Sequence, residues 1–288
     1  MPKQLFIFLL VCLSNTSFGQ NAQMMYWALN KCPYILYQSS KSASAAYSIR
    51  KTNCAYTGYA LQVRKGTATT GTTTADIGFT ANGYLDTTAL KTFVSTSSGY
   101  VVTWYDQSGN GKHLTQATNS KQPRIVNAGT IDRVNGMPTL TFQDTTDLML
   151  APSMDIQSFS AVRKVGAGGT SNAMRYLVSV PANFDFSIRS SSTVSNYYGD
   201  NNGDDFWTTG KIYLNNVNTA TYPITLHALY AYTGTLKTAT TFSLSSTFLN
   251  RGMYGGDAVS ELIVYPSVLS NTEITTIYLH QAKYYNLP

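Results

Sequence analysis

A chain with almost no glutamate cannot build long solvated helices. Glu261 and Glu273 are the only two in 288 residues, beside twelve Asp. Charged side chains make up 12% of the sequence, about half the share usual in soluble domains. Coiled coils and helical bundles, whose outer faces need Glu and Lys, are therefore excluded. In their place stand 38 Thr, 28 Ser and 21 Tyr, with 21 Gly, the residues of strands and tight turns. The length suits one large β domain, and no composition break or linker argues for two.

Residues 1–20 read as a secretory signal peptide. Lys3 supplies the positive start, Leu5 to Leu13 the apolar centre, and Ser17-Phe18-Gly19 a small-x-small cleavage site. That apolar run is too short to span a bilayer, and no later segment is apolar enough, so no membrane span is expected. The mature chain is expected to be secreted or held at the cell surface. Two cysteines, Cys32 and Cys54, then remain. In an oxidising compartment they can close one disulfide; two buried free thiols are the alternative. Net charge is +6, but the basic residues stand in isolated pairs such as Arg50-Lys51 and Arg163-Lys164. With no basic cluster or helical stripe, no nucleic-acid partner is expected.

Along the chain, residues 21–45 form an irregular leader and 46–288 one domain. Tyr59 to Arg64 alternates apolar and polar, as a half-buried strand does. Asp86 predicts an N-cap for a short helix over 87–94. A strand is expected over Tyr100 to Tyr105, and tight turns at Ser108-Gly109-Asn110-Gly111 and Asn135-Gly136. A strand at Thr139 to Phe142 follows. Later strands are expected at 175–180, 184–189, 211–215, 225–232, 241–244 and 259–265. Ser270-x-x-Glu273 is a capping box opening a helix over 271–283. Strands recurring without intervening helices predict an all-β antiparallel sandwich.

Two stretches carry a family resemblance. Residues 46–65 (AYSIRKTNCAYTGYALQVRK) lead to Tyr105-Asp106-Gln107-Ser108-Gly109-Asn110-Gly111-Lys112-His113-Leu114-Thr115-Gln116. This resembles the catalytic domain of α-L-arabinofuranosidase B over roughly residues 45–145. The stretch from Gly256 to Tyr265 is similar to the last strand of laminin-G-like domains. Both imply a concanavalin A-like antiparallel β-sandwich, or jelly roll. The first implies retaining release of terminal arabinofuranosyl groups from plant polysaccharides.

That chemistry needs a nucleophilic carboxylate and an acid/base carboxyl about 5–5.5 Å apart. The family's nucleophile is a Glu followed by two Asn. The nearest match here, Leu214-Asn215-Asn216, places a leucine at that position. The family's acid/base is an Asp after two glycines, which Gly255-Gly256-Asp257 preserves. The family's paired cysteines before a Phe-Asp pair are absent, because Ala182 and Asn183 precede Phe184-Asp185.

Asp257 is thus the candidate catalytic residue, against a plain turn aspartate. Glu261, by alternation with Val259 and Ile263, is expected to share their face, and is the weaker nucleophile candidate. Glu273 is expected to serve only as a helix cap. For ligand binding, Tyr197, Tyr198 and Trp207 would stack on sugar faces while Asp185 and Asp200 bind hydroxyls. Trp104 and Tyr105 are either core or a second stacking pair. No cofactor is expected beyond a structural Ca2+, for which Asp200, Asn202 and Asp204 supply oxygens. Asp106, Ser108 and Asn110 form a sparser calcium-like turn, with Ala117 where an EF-hand needs Glu. Two functions stay open: a glycan-binding module that kept the fold, and an active retaining arabinofuranosidase with Asp257 as acid. The expected partner of either is a polysaccharide or glycan.

Overall fold

The alternation of β-branched and small polar residues is realised almost entirely as strands. The computed structural model describes residues 34–37, 39–166, 174–179, 188–191, 197–199, 211–219, 221, 225–245, 252–253 and 255–288. The first half holds β1 (Ala45–Ser48), β2 (Leu61–Gly66), β3 (Thr74–Ile77), β4 (Ser98–Trp104), β5 (Leu114–Thr115), β6 (Arg124–Asn127), β7 (Thr130–Ile131), β8 (Arg133–Val134), β9 (Met137–Pro138) and β10 (Leu140–Phe142). The second holds β11 (Met149–Lys164), β12 (Met174–Ser179), β13 (Ile188–Ser191), β14 (Tyr197–Gly199), β15 (Lys211–Leu214), β16 (Val217–Asn218), β17 (His227–Leu244) and β18 (Asp257–Tyr265). The described residues also hold two α-helices, α1 (Thr87–Val94) and α2 (Asn271–Tyr285). Among the described residues no helix is long and apolar enough to cross a membrane.

Both helices start where their capping residues place them. Asp86 accepts the Ala89 N–H at 2.9 Å, and Ser270 and Glu273 close a reciprocal capping box. Asn135 and Gly136, both at positive φ, turn β8 back onto β9. The pairings run β1-β18-β10-β6-β4-β5-β11-β17-β12-β13-β14, with β2–β3 branching from β4 and β15–β16 from β17. β18 also pairs with β11. One buried cluster joins Val63, Val101, Trp104 and Val126 to Phe159, Leu229, Leu262 and Val264. The face of β2, β4 and β6 therefore packs on that of β11, β17 and β18. A second cluster (Ile263, Tyr265, Leu269, Ile274, Ile277) lies under α2 and includes Ile35, from a single 3-10 turn at Ile35–Tyr37.

Three features depart from the sequence reading. β11, sixteen residues long, was not expected, because Pro152 and the scattered Ser153, Ser158 and Ser160 dilute its strand signal. It nevertheless pairs with β5, β17 and β18. The segments 225–232 and 241–244 belong to one strand, β17, since Thr238 to Lys237 keep pairing with Asp155 and Ile156. Opposite Gln157 the register jumps from Lys237 to Tyr232, so Thr233 to Leu236 bulge out and both strands bend. Last, Val162 pairs with Glu261 but Arg163 with Val259, leaving Ser260 as an extra residue. This bulge breaks the alternation. Val259 enters the main core and Ile263 the second cluster, so Glu261 does not share a face with both.

Glu261 instead lies under α2, fully buried. Arg50 grips its carboxylate from two nitrogens, at 2.7 and 3.1 Å. Ser48 Oγ, Tyr285 Oη and Gln281 Nε2 donate to it as well, at 2.9, 3.2 and 3.1 Å. Burial alone would raise its pKa, but the Arg50 charge and these donors lower it below the ordinary glutamate value. The guanidinium also sits 4.9 Å from the Tyr284 ring centre. Removing one partner leaves the other charge buried without compensation, which costs about 3–5 kcal/mol. Glu261→Gln should accordingly lower unfolding free energy by about that amount in urea titrations. Arg50→Met with Glu261→Leu should cost less than either single change, since no charge is left stranded.

Candidate functional site

The most recognisable motif of the sequence, Tyr105 to Gln116, is anchored by buried side chains while its turn, Gly109 to Gly111, is exposed. Asp106 is buried. Its Oδ1 accepts the Ala46 and Ser108 N–H groups, both at 2.8 Å. Its Oδ2 accepts Ser108 Oγ at 2.9 Å and the Lys112 N–H at 3.0 Å. Gln107, also buried, accepts from Thr52 N and Oγ1 and donates to the Ser48 and Arg50 carbonyls. Asn110 donates to the carbonyls of Ala43 and Ser44, and Tyr47 donates to that of Lys112. The motif clamps its loop to β1 and to the chain after it.

The Asp106, Ser108 and Asn110 side chains of the calcium-like turn are engaged in internal hydrogen bonds. Four N–H and O–H donors occupy the Asp106 carboxylate, and the Asn110 amide points its donors at backbone. Among the described residues no group of three or more His, Cys, Asp or Glu is placed to hold a metal. Trp104 and Tyr105 part company: a register slip that leaves Val102 of β4 without a partner on β2 turns Trp104 into the core, where it is completely buried, while Tyr105, just past it, is half-exposed.

Asp257 opens β18 and is fully buried. Its Oδ1 accepts the Gly166 N–H, and its Oδ2 lies 3.6 Å from Arg163 Nη2. The Gly166 position is tight, because a Cβ there would meet Gly255 O at 2.4 Å. Arg163 stands on β11 opposite His227 on β17, and both are fully buried. Three adjacent strands thus bring a carboxylate, a guanidinium and an imidazole to one end of the sheet. Arg163 was read in the sequence only as half of an isolated basic pair, and His227 was not singled out at all.

His227 Nδ1 lies 2.9 Å from the Thr225 carbonyl. Burial, only partly offset by that bond and reinforced by the Arg163 charge, lowers its pKa from 6.5 to about 4. Nearby in the chain, Asp147 accepts the Gln143 and Asp144 N–H groups. Burial pushes its pKa up to about 6.

Leu214 is 3% exposed and pairs with Leu229 and Val217. Asn215 and Asn216 follow at positive φ of 47° and 65°, the two-residue turn between β15 and β16. Asn215 accepts the Ala228 N–H, and Asn216 accepts from Thr275 Oγ1. The Leu-Asn-Asn segment is a packed hairpin. Glu261 is occupied by Arg50, and Glu273 by the helix cap and by Ser39 and Ser40. Cys54 is disulfide-bonded, and Cys32 lies outside the described residues. Tyr197 and Tyr198 fall in β14, paired with Ser190 and Arg189. Asp185, Asp200, Asn202, Asp204 and Trp207 lie outside the described residues.

Comparison with known proteins follows this division. Residues 33–144 match the family model described as alpha-L-arabinofuranosidase B, catalytic. Over those residues the chain is similar to that family. Over 87 residues, 30% of its length, it is 33% identical to alpha-L-arabinofuranosidase B of Aspergillus niger and of Aspergillus kawachii. The aligned part is 17% of the length of those curated relatives. In three dimensions the chain is similar to an arabinofuranosidase complexed with arabinofuranosyl-alpha-1,2-xylobiose, with a TM-score of 0.60. It is also similar to a GH54 arabinofuranosidase soaked with a cyclic sulfate inhibitor, with a TM-score of 0.58. Each comparison is at 15% identity and covers 85% of this chain and 63% of the other, a likeness of fold. The arabinofuranosidase B match ends at residue 144 and includes neither Leu214 nor Asp257.

The two shifted groups give stability opposite pH dependences. His227 binds its proton more weakly in the folded state, so its contribution is complete above pH 6.5 and is lost as pH falls toward 4. Asp147 binds its proton more tightly when folded, so its contribution falls as pH rises from 3.8 to about 6. In urea titrations between pH 7 and pH 5, His227→Gln should flatten the loss of stability on acidification. Asp147→Asn, which keeps an acceptor for the turn, should steepen it.

Proposed function

We propose that the chain is a secreted glycan-binding protein, a concanavalin A-like jelly roll that keeps an arabinofuranosidase scaffold without its glutamate nucleophile. The observation that carries this reading is the fate of the two glutamates. Glu261 is locked to Arg50 inside the fold, and Glu273 is locked into a helix cap. Leu214, at the position the resemblance gives the nucleophile, is core. A buried leucine can neither attack an anomeric carbon nor stabilise an oxocarbenium ion. Secretion rests on the leader read in residues 1–20, and a structural Ca2+ at Asp200, Asn202 and Asp204 belongs to the same proposal. The ligand class, a plant polysaccharide bearing arabinofuranosyl groups, comes from the family.

One observation favours a second reading, the active retaining hydrolase. Gly255-Gly256-Asp257 ends beside Arg163 and His227, a polar cluster of the kind active sites use. With both glutamates engaged, the nucleophile would be an aspartate, Asp185, Asp200 or Asp204. Incubation with an aryl α-L-arabinofuranoside decides between the two. The binding reading expects no release above the uncatalysed rate from wild type or from Asp257→Asn. Release by wild type that Asp257→Asn abolishes would establish the hydrolase instead.

A further inference from the structure

Beside the buried clamp of the Tyr105 to Gln116 motif lies a surface that the clamp itself holds rigid. Tyr105 turns outward where Trp104 turns in. Its ring centre is 6.3 Å from that of Tyr59 and 5.1 Å from that of His113, which meets it edge-on. Tyr59 is 51% exposed; Tyr56 holds its backbone by donating to the Tyr59 carbonyl at 2.8 Å. Asp76, paired with Gln62 across β2 and β3, accepts Tyr105 Oη at 2.8 Å and Gln62 Nε2 at 3.2 Å, both on Oδ1. The Tyr105 ring and the Tyr59 backbone are thus fixed before any ligand arrives.

The polar groups around those rings are half used. Asp106 donates its backbone N–H to His113 Nδ1 at 3.0 Å. A backbone N–H can only donate, so the proton of neutral His113 sits on Nε2. That Nε2–H, Asp76 Oδ2 and Gln62 Oε1 take no hydrogen bond among the described residues. One donor and two acceptors therefore border a tilted aromatic pair. Sugars need that combination: C–H faces that stack on aromatic rings, and hydroxyls that both donate and accept. A ring already fixed loses little side-chain entropy on binding.

We infer that Tyr59, Tyr105 and His113, with Asp76 and Gln62, form a binding platform for a neutral polysaccharide chain. It is built around β2, β3 and the motif loop after β4, whereas Asp257 opens β18. Asp76 is the one full charge of this set, so an anionic chain would meet repulsion and a neutral, arabinose-substituted xylan would not. The inference rests on the glycan-binding reading and assigns that binding a place.

Affinity electrophoresis of the secreted chain in gels containing soluble arabinoxylan tests it, with polygalacturonate gels as the anionic comparison. Wild type should be retarded by arabinoxylan and not by polygalacturonate. Tyr59→Ala and Tyr105→Ala should each weaken retardation about tenfold, while Tyr105→Phe, which keeps the ring, should hold within about threefold of wild type. Thermal melting checks that each variant folds; if Tyr105→Ala does not, the exposed Tyr59→Ala decides. Wild-type retardation by both alanine variants would overturn this platform while leaving glycan binding intact elsewhere. Stronger retention in polygalacturonate would overturn the neutral-chain assignment. Retardation of wild type in neither gel would overturn the platform and the glycan-binding reading together.

Discussion

The Arg50–Glu261 pair joins parts of the chain that are 211 residues apart. Arg50 follows β1, Glu261 lies in β18, and the donors that complete the carboxylate come from Ser48 and from Gln281 and Tyr285 on α2. The Gln107 side chain then ties the same stretch, through the Ser48 and Arg50 carbonyls, to the motif loop after β4. A charge pair without water is tolerated only when its remaining hydrogen-bonding positions are filled. Meeting that condition sets the seat of α2 on β18, the path of the chain after β1 and the anchoring of the loop.

That condition also bears on chemistry. A retaining glycosidase needs a carboxylate free to meet substrate; Glu261 is buried, and both oxygens of the surface Glu273 accept hydrogen bonds from Ser39, Ser40 and Ser270. The strongly matching part of the chain, residues 33–144, is the part whose polar side chains satisfy one another internally. Asp106, Gln107 and Asn110 are of the residue types that bind ligands, yet their partners are backbone groups and hydroxyls of β1, of the chain on either side of it and of the motif's own loop. A family motif can persist because a loop must be clamped, whatever the cleft beyond it does. The same clamp holds His113 in one tautomer and so leaves a defined donor on the surface beside Tyr105.

Local signals were read correctly where they are complete within a few residues. Asp86 and the Ser270–Glu273 box start their helices because an N-cap needs only its own first turn. Asn135-Gly136 forms its turn because positive φ is a property of those residues. β11 was missed because a central strand is stabilised by its two neighbours, which lets it carry Pro152 and many serines. The face of Glu261 was misread because one extra residue, Ser260, reverses the alternation, and a bulge is set by the partner strand's register. Arg163 and His227 gave no signal of their own: nothing local tells a buried arginine or histidine from an exposed one.

From the sequence alone came the β class, the capped helices, the tight turns, the arabinofuranosidase B resemblance and the scarcity of glutamate. Each is a matter of composition or of contacts within one turn. Only the tertiary structure decided what the polar side chains do. It placed Glu261 against Arg50, Asp257 against Arg163, Leu214 in the core, and Tyr105 on the surface beside Asp76. Those outcomes depend on burial and on partners far away in the chain, and desolvation makes an internal carboxylate a structural element where an exposed one would be a reagent.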